Sequence, residues 1–520
     1  MSEAPQAGTV PIASEELQGS GLGKKVAVGA AWMVGLRTAF RFLGLISTLV
    51  LVRLLAPQDF GLAALASMAY AMLDLASDVS INLALVQMRE PTRAHYDTAW
   101  TLVVLRGFVI AAIMIVTAPL MAEFLAEPRV ENMIYVLSLA PILSGFENVG
   151  LIEYQRDLRF DRIFWYQLVN KIASFLIVIP AAIILRNYWA LVIGAFAARV
   201  ITIPLSYAIH PFRPRLSLGA FGDLFDFSKW LFVTNLLTMV DSYLMTLLLG
   251  RTAGASAVGT FQVANQIASL PASEVAAPVR RPFYAGYAKV KDDLGSLRAQ
   301  ILSGFGFLML LVIPMSVGLA AACELVQQLG LGPKWEDAAP IVALCAMYAL
   351  FDAIGQFTHN IYLVRGEQKR FVRIMAGNIV LRVALVIVAG VYGGVLWAVA
   401  ALAATALLNA VMWFAKLLPL VGMRAAEPLS VVWRTFVAAG AMAFAVRVAI
   451  AAWPPETSVG PLLLQTLAIC GGGAVVHVVV QSLLWFVCGR PRGPEQQLLD
   501  HLPAVRRKVA RIFPRGMARA

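Results

Sequence analysis

The sequence predicts an all-α membrane protein: about fourteen transmembrane helices, forming two six-helix lobes in parallel repeat followed by two further helices. Three observations carry that prediction. The first is composition: of 520 residues, 60% are hydrophobic and only 14% charged, with a mean hydropathy of +0.75. Soluble domains carry roughly a quarter charged residues, so soluble enzymes, nucleic-acid binders and disordered scaffolds are excluded. The net charge of +12 does not point to nucleic acid, because the cations are strung between apolar runs rather than clustered on a water-facing surface. The second observation is the succession of apolar runs of about 18 residues or more. The third is the placement of the 42 Lys and Arg residues.

In chain order, residues 1–22 are polar, small and turn-forming, and read as a disordered cytoplasmic lead. The run 26–55 follows Lys24 and Lys25; it is too long for a signal-peptide core and lacks a small-residue cleavage site, so it is the first helix. Helices near 59–86, 97–122, 131–154, 162–185 and 188–209 complete an N-lobe over 23–210. Residues 211–226 form a basic amphipathic linker suited to the cytoplasmic membrane surface. The C-lobe, 227–420, holds helices near 227–250, 255–279, 297–323, 338–363, 371–391 and 394–418. Two more, near 429–453 and 461–488, fill 421–488. Residues 489–520 are a basic cytoplasmic tail, either solvated or bound to anionic lipid headgroups. With the N-terminus in the cytoplasm, thirty cations fall on that side, Arg434 among them. Only Arg53, Arg129, Arg186, Arg251 and Lys334 fall on the other. That bias sets the orientation and puts both termini in the cytoplasm. Cys323, Cys345, Cys470 and Cys488 lie in or beside apolar runs without metal-ligand spacing and read as small core residues.

An internal repeat underlies the two lobes. Arg53 at the end of the first helix is followed eight residues later by Gly61, and Arg251 at the end of the seventh by Gly259. Arg159-Phe-Asp-Arg-Ile163 opens the fifth helix and Arg370-Phe-Val-Arg-Ile374 the eleventh. Eleven residues after each Phe stands a cation, Lys171 or Arg382. Six helices, an even number, separate the echoes, so the halves share one orientation and are related by an axis along the membrane normal.

Six plus six plus two helices resemble the multidrug/oligosaccharidyl-lipid/polysaccharide (MOP) exporter superfamily. The stretch Val52-Arg-Leu-Leu-Ala-Pro-Gln-Asp-Phe-Gly-Leu62 and the segment Glu153-Tyr-Gln-Arg-Asp-Leu-Arg-Phe160 look like its polysaccharide-transporter branch, the Wzx-type lipid-linked oligosaccharide flippases. The resemblance covers residues 22–420. It implies a MATE-like architecture in a bacterial inner membrane and alternating access between two lobes around a central cavity. It also implies polysaccharide polymerase machinery as a partner. Cargo is not settled by architecture, since drug exporters share it.

Seven cations stand at membrane depth: Arg37, Arg41, Arg106, Lys171, Arg199, Arg382 and Arg447. Each costs roughly 2.5 kcal/mol or more there unless it meets water or an opposite charge. Arg37 and Arg41 share one face of the first helix, and Asp74 and Asp78 share one face of the second. Antiparallel packing would set Arg41 level with Asp74 and Arg37 with Asp78, as ion bridges. The alternative exposes at least one of these arginines to substrate. Lys171 and Arg382, equivalent in the repeat, are candidates to face each other across the cavity. Arg106 and Arg199 line the same wall or snorkel to their helix ends, and Arg447 is a structural pair or snorkels. The buried carboxylates Asp74, Asp78, Glu147, Asp241 and Glu274 serve ion pairing or coupling. Asp241 either takes a coupling proton or Na+ or bridges a cation of its own lobe. His359 and His477 read as core or interface residues.

No phosphate-binding Gly-Lys-Ser/Thr loop, metal-ligand pattern or cofactor motif is present in the sequence. The reading is therefore a carrier without a cofactor, not an enzyme. A cationic cavity suits a polyprenyl-pyrophosphate-linked oligosaccharide, a precursor of exopolysaccharide, capsule or O-antigen, because guanidinium and ammonium groups hold pyrophosphate through charge-assisted hydrogen bonds. The alternatives are a MATE-like multidrug/cation antiporter, disfavoured by a first helix with arginines and no acid, and a membrane glycosyltransferase or polysaccharide ligase, disfavoured by the repeat and the short external loops. Arg41→Lys is expected to lower polysaccharide export despite its retained charge, because lysine cannot reproduce the planar donor fork. Export compared at matched membrane abundance checks this, and unchanged export would remove Arg41 from the substrate site.

Overall fold

A computed structural model of the chain describes residues 20–77, 85–86, 88, 90–221, 229–273, 283, 286–287, 290, 292–456, 458–489 and 493–496. Asp78, Glu274, the lead before residue 20 and most of the basic tail lie outside the described residues. Among the described residues every regular element is helical. In order these are α1 (Ser20–Leu54), α2 (Pro57–Ala76), α3 (Arg93–Leu125), α4 (Arg129–Leu137), α5 (Leu139–Gly145), α6 (Leu151–Arg156), α7 (Phe160–Leu185) and α8 (Trp189–Ile209). There follow α9 (Lys229–Ala268), α10 (Leu294–Ala321), α11 (Cys323–Val326), α12 (Ala338–Val364), α13 (Gln368–Leu417), α14 (Ala426–Ala452) and α15 (Val459–Val487).

Ten stretches among the described residues are long and apolar enough to cross a membrane. Two of the elements above are double. Gly394, at φ 73° and ψ −163°, breaks α13 into the two helices expected near 371–391 and 394–418. Gly254, at φ 79° and ψ −179°, divides α9 in the same way. Both conformations are open to glycine and strained for other residues. The motif after α1 has a local purpose: Pro57 opens α2 where no amide partner is needed, and Asp59 accepts a hydrogen bond from the Ala56 amide at 2.9 Å.

The single helix expected over 131–154 is instead three short ones, α4, α5 and α6. Asn148 explains the second interruption. Its amide nitrogen donates to the carbonyls of His210 and Phe212 at 3.1 and 2.9 Å, and its oxygen accepts from the Gly150 amide at 2.9 Å. A side chain spent on those groups satisfies a turn rather than a continuing helix.

The contacts divide the chain into two units: residues 1–54, 69–120 and 131–235 in the first, and 55–68, 121–130 and 236–520 in the second. In the first, α7 packs on α8 and on α1. The described part of the linker, 211–221, is largely extended and is tied to the start of α3. Amides of Arg215, Ser217 and Ala220 donate to Asp97, Thr101 and Thr98 at 2.9, 3.0 and 3.2 Å.

The second unit has its core on α10, α12, α13 and α14, around Ile301, Phe305, Leu308, Ile361 and Trp413. Arg434, expected in a cytoplasmic loop, is buried in α14 and bridges Glu495 at 2.9 Å, while Gln481 of α15 donates to the same carboxylate. The local sequence gave no sign of this partner, which lies 61 residues away. Cys323 and Cys345 are buried as expected, but Cys470 and Cys488 are exposed. Their helix presents Leu464, Val475 and Val487 outward, as a lipid-facing helix does.

Within this unit the residues of the sequence echo meet. A Cβ on Gly61 would collide with the Ala255 carbonyl, and one on Gly259 with the Pro57 carbonyl. Both pairs obey the 198-residue offset that relates Arg53 to Arg251, so one close backbone approach is made twice. Gly61→Ala and Gly259→Ala should each destabilise the protein by about 1–3 kcal/mol or more through overpacking against backbone. Gly44→Ala, with no neighbour in reach of its Cβ, should be neutral. Thermal melting of the three variants in detergent checks this.

Candidate functional site

In the first unit, α1 and α7 run side by side. Gly29 lies against Phe160, and Gly35 against Phe164, which also meets Trp32 at a ring-centroid distance of 4.8 Å. Both contacts advance together along the two helices, so the helices are parallel. Six residues beyond Gly35 stands Arg41, and seven beyond Phe164 stands Lys171. The two cations therefore share one depth, with Arg37 a turn below Arg41. Arg37 is exposed, Arg41 and Lys171 half-buried, and the two guanidinium groups repel each other. Lys171 forms no ion pair or hydrogen bond among the described residues.

Asp74, expected level with Arg41, is instead held by Arg106 of α3. The guanidinium donates to its carboxylate at 2.7 Å and to Ser77 Oγ at 3.0 Å. Arg106 thus does not snorkel: it lines a cavity wall, as one of its two readings has it, and there it is paired and fixes the end of α2. Beside it lies a cavity of about 230 Å³ lined by Trp100, Arg106, Glu147, Asn148, Tyr166 and Gln167, among others. The Tyr166 hydroxyl donates to Glu147 at 2.5 Å, and the Arg199 charge acts on the same carboxylate.

The second unit holds the corresponding cavity, of about 180 Å³. Arg382 bridges Asp241 of α9 at 2.5 Å and is buried, so of the two readings of Asp241 the salt bridge holds in this structure. Arg382 is accordingly a paired wall residue rather than a free equivalent of Lys171. Asn378 and Gln167, one turn before Arg382 and Lys171, carry the same 211-residue offset and both line their cavities. The sequence reading omitted Asp352, Gln356, Asn378, Asn409 and Trp413. The signal was present as polar residues recurring on one face of an apolar helix: Asp352, Gln356 and His359, then Asn378 and Arg382.

Arg447 pairs with Glu324 at 2.9 Å, the structural reading expected for it. A separate groove of about 630 Å³, almost wholly apolar, is lined by Leu270, Pro271, Pro314, Met442, Cys470 and His477.

Asp241 and Arg382 should respond as a couple. Arg382→Ala strands a carboxylate in an apolar helix pair and is expected to destabilise by about 3 kcal/mol, while Asp241→Asn with Arg382→Gln restores most of that loss. Chemical denaturation of the single and double variants measures the difference.

Comparison with known proteins places this geometry. The profile of the family described as "Polysaccharide biosynthesis protein" matches residues 50–340. The chain is 21% identical over 424 residues to the lipopolysaccharide biosynthesis protein WzxC of Escherichia coli, covering 80% of this chain and 85% of that one. It is 22% identical to the succinoglycan biosynthesis transport protein ExoT of Rhizobium meliloti over 62% of this chain and 66% of that one. Among solved structures, the lipid II flippase MurJ in an inward closed conformation superposes with a TM-score of 0.68 at 12% identity, covering 88% of this chain and 99% of that one. An inward-facing multidrug resistance MATE family transporter of the MOP superfamily gives 0.53 at 12% identity, over 74% and 94%. The fold is thus the one shared by MurJ and MATE transporters, and the family match over more than half the chain makes this membrane protein a member of the polysaccharide biosynthesis protein family.

Proposed function

We propose that the protein flips polyprenyl-pyrophosphate-linked oligosaccharide units across the bacterial inner membrane, by alternating access and with both termini in the cytoplasm. The observation that carries this reading is the common depth of Arg41 and Lys171, which the Gly29–Phe160 and Gly35–Phe164 contacts impose. Two like charges are kept at one level of a parallel helix pair, with Arg37 one turn below. Lys171 forms no ion pair or hydrogen bond among the described residues, and an ammonium at membrane depth is unfavourable unless water or a polyanion meets it. Pyrophosphate is that polyanion, and it accepts charge-assisted bonds from both groups. Within the second unit, the apolar groove suits a hydrocarbon chain, through burial of apolar surface. The relatives named as polysaccharide biosynthesis and transport proteins support the substrate class.

Lys171→Ala should slow transbilayer movement of lipid-linked oligosaccharide about tenfold, the loss of one charge-assisted bond, with membrane abundance unchanged. Flipping is read in proteoliposomes by protection of the substrate headgroup from an external glycosidase. Movement at the wild-type rate in both Lys171→Ala and Lys171→Glu would overturn the assignment.

A further inference from the structure

We infer that the cavity bounded by α9, α12 and α13 binds one neutral sugar ring, an inference that rests on the flippase reading for its physiological ligand. The walls of this cavity contain polar atoms that are buried and find no hydrogen-bond partner among the described residues. Both amide atoms of Asn378, Oδ1 of Asn409 and Nε of Arg382 are in this state. All three residues are more than nine-tenths buried and line the cavity. An unmet buried polar group is destabilising by about 1–3 kcal/mol, so four such atoms around one space indicate a ligand that meets them.

The kind of unmet atom identifies the ligand. Asn378 Nδ2 and Arg382 Nε are donors, and Asn378 Oδ1 and Asn409 Oδ1 are acceptors. A phosphate supplies only acceptors and a metal cation meets only acceptors. Hydroxyl groups do both, and a sugar ring carries several of them at fixed angles. Electrostatics agree: the lining holds two carboxylates, Asp241 and Asp352, against one guanidinium, so there is no surplus positive charge to attract an anion. A metal cation is disfavoured in turn by Arg382 lying 2.5 Å from Asp241. Part of the remaining wall is aromatic. Phe371 stacks on Trp413 at 4.5 Å and 22°, and His359 meets Phe371 edge-on at 4.1 Å. Flat apolar faces beside hydrogen-bonding amides suit a pyranose, which has apolar C–H faces and a polar rim. The space, about 180 Å³, is enough for one ring.

The site is distinct in chemistry from the cations of α1 and α7. Those suit an anion, whereas this cavity suits an uncharged sugar ring.

The test uses the purified full-length chain in nanodiscs and saturation-transfer NMR, with methyl glucoside, methyl galactoside and N-acetylglucosamine as probes and sodium glucuronate and inorganic phosphate as competitors. At least one neutral probe should receive saturation. The signal should fall about fivefold in Asn409→Ala, the loss of a single hydrogen bond, and further in Asn378→Leu, the loss of two, and should survive phosphate and glucuronate. Absence of signal from every neutral probe, displacement by either anion, or an unchanged signal in both variants overturns the inference. The wild-type competition series decides even if a variant fails to fold. Flipping measured alongside separates the two readings. Protein that binds a neutral probe yet does not move lipid-linked oligosaccharide refutes the flippase reading alone. Movement at the wild-type rate in both asparagine variants refutes the sugar subsite alone.

Discussion

An ionisable side chain in the hydrocarbon region has to be met by an opposite charge, by hydrogen bonds or by water, and that requirement organises the interior of this protein. Four described carboxylates at membrane depth are met from elsewhere in the chain. Asp74 is taken by Arg106, Glu147 by the Tyr166 hydroxyl and the Arg199 charge, Asp241 by Arg382, and Glu324 by Arg447. Each pair joins segments that are separate in sequence, so each also fixes packing. Lys171, with no ion pair among the described residues, stands apart from this pattern. The distribution of pairs, more than the number of charges, therefore separates scaffold from candidate site.

Close backbone approach is the second constraint. Gly61 and Gly259 admit a carbonyl where any larger residue would collide, and Gly29 admits the Phe160 ring. The first pair makes the internal repeat visible as matter: positions that echo each other 198 residues apart touch in reciprocal fashion. The second sets the register of α1 on α7, and with it the common depth of Arg41 and Lys171. Charged side chains are here positioned by residues that carry no charge.

The two halves have diverged in charge while keeping their framework. Gln167 and Asn378 occupy equivalent places and line cavities of similar size, 230 and 180 Å³. One turn on, however, Lys171 sits level with Arg41, whereas Arg382 meets Asp241. The second arrangement neutralises itself and leaves amides to face the space. One repeated scaffold thus presents two chemistries.

Apolar runs, the positive-inside bias and the Gly- and Arg-marked echoes determined the membrane class, most helix positions and the repeat, because each is a property of one segment read alone. Breaks in helices were partly legible: Gly254 and Gly394 fall at expected boundaries, but the interruption at Asn148 depends on carbonyls more than sixty residues away. Pairing was decided only by tertiary structure. Helical spacing placed Asp74 opposite Arg41, yet a long guanidinium from α3 reaches it first, and Arg434, legible only as one of many loop cations, is buried against Glu495. Spacing along a helix fixes which residues share a face. Which neighbour that face meets depends on how helices distant in sequence pack, and the energy of a buried charge is set by that neighbour.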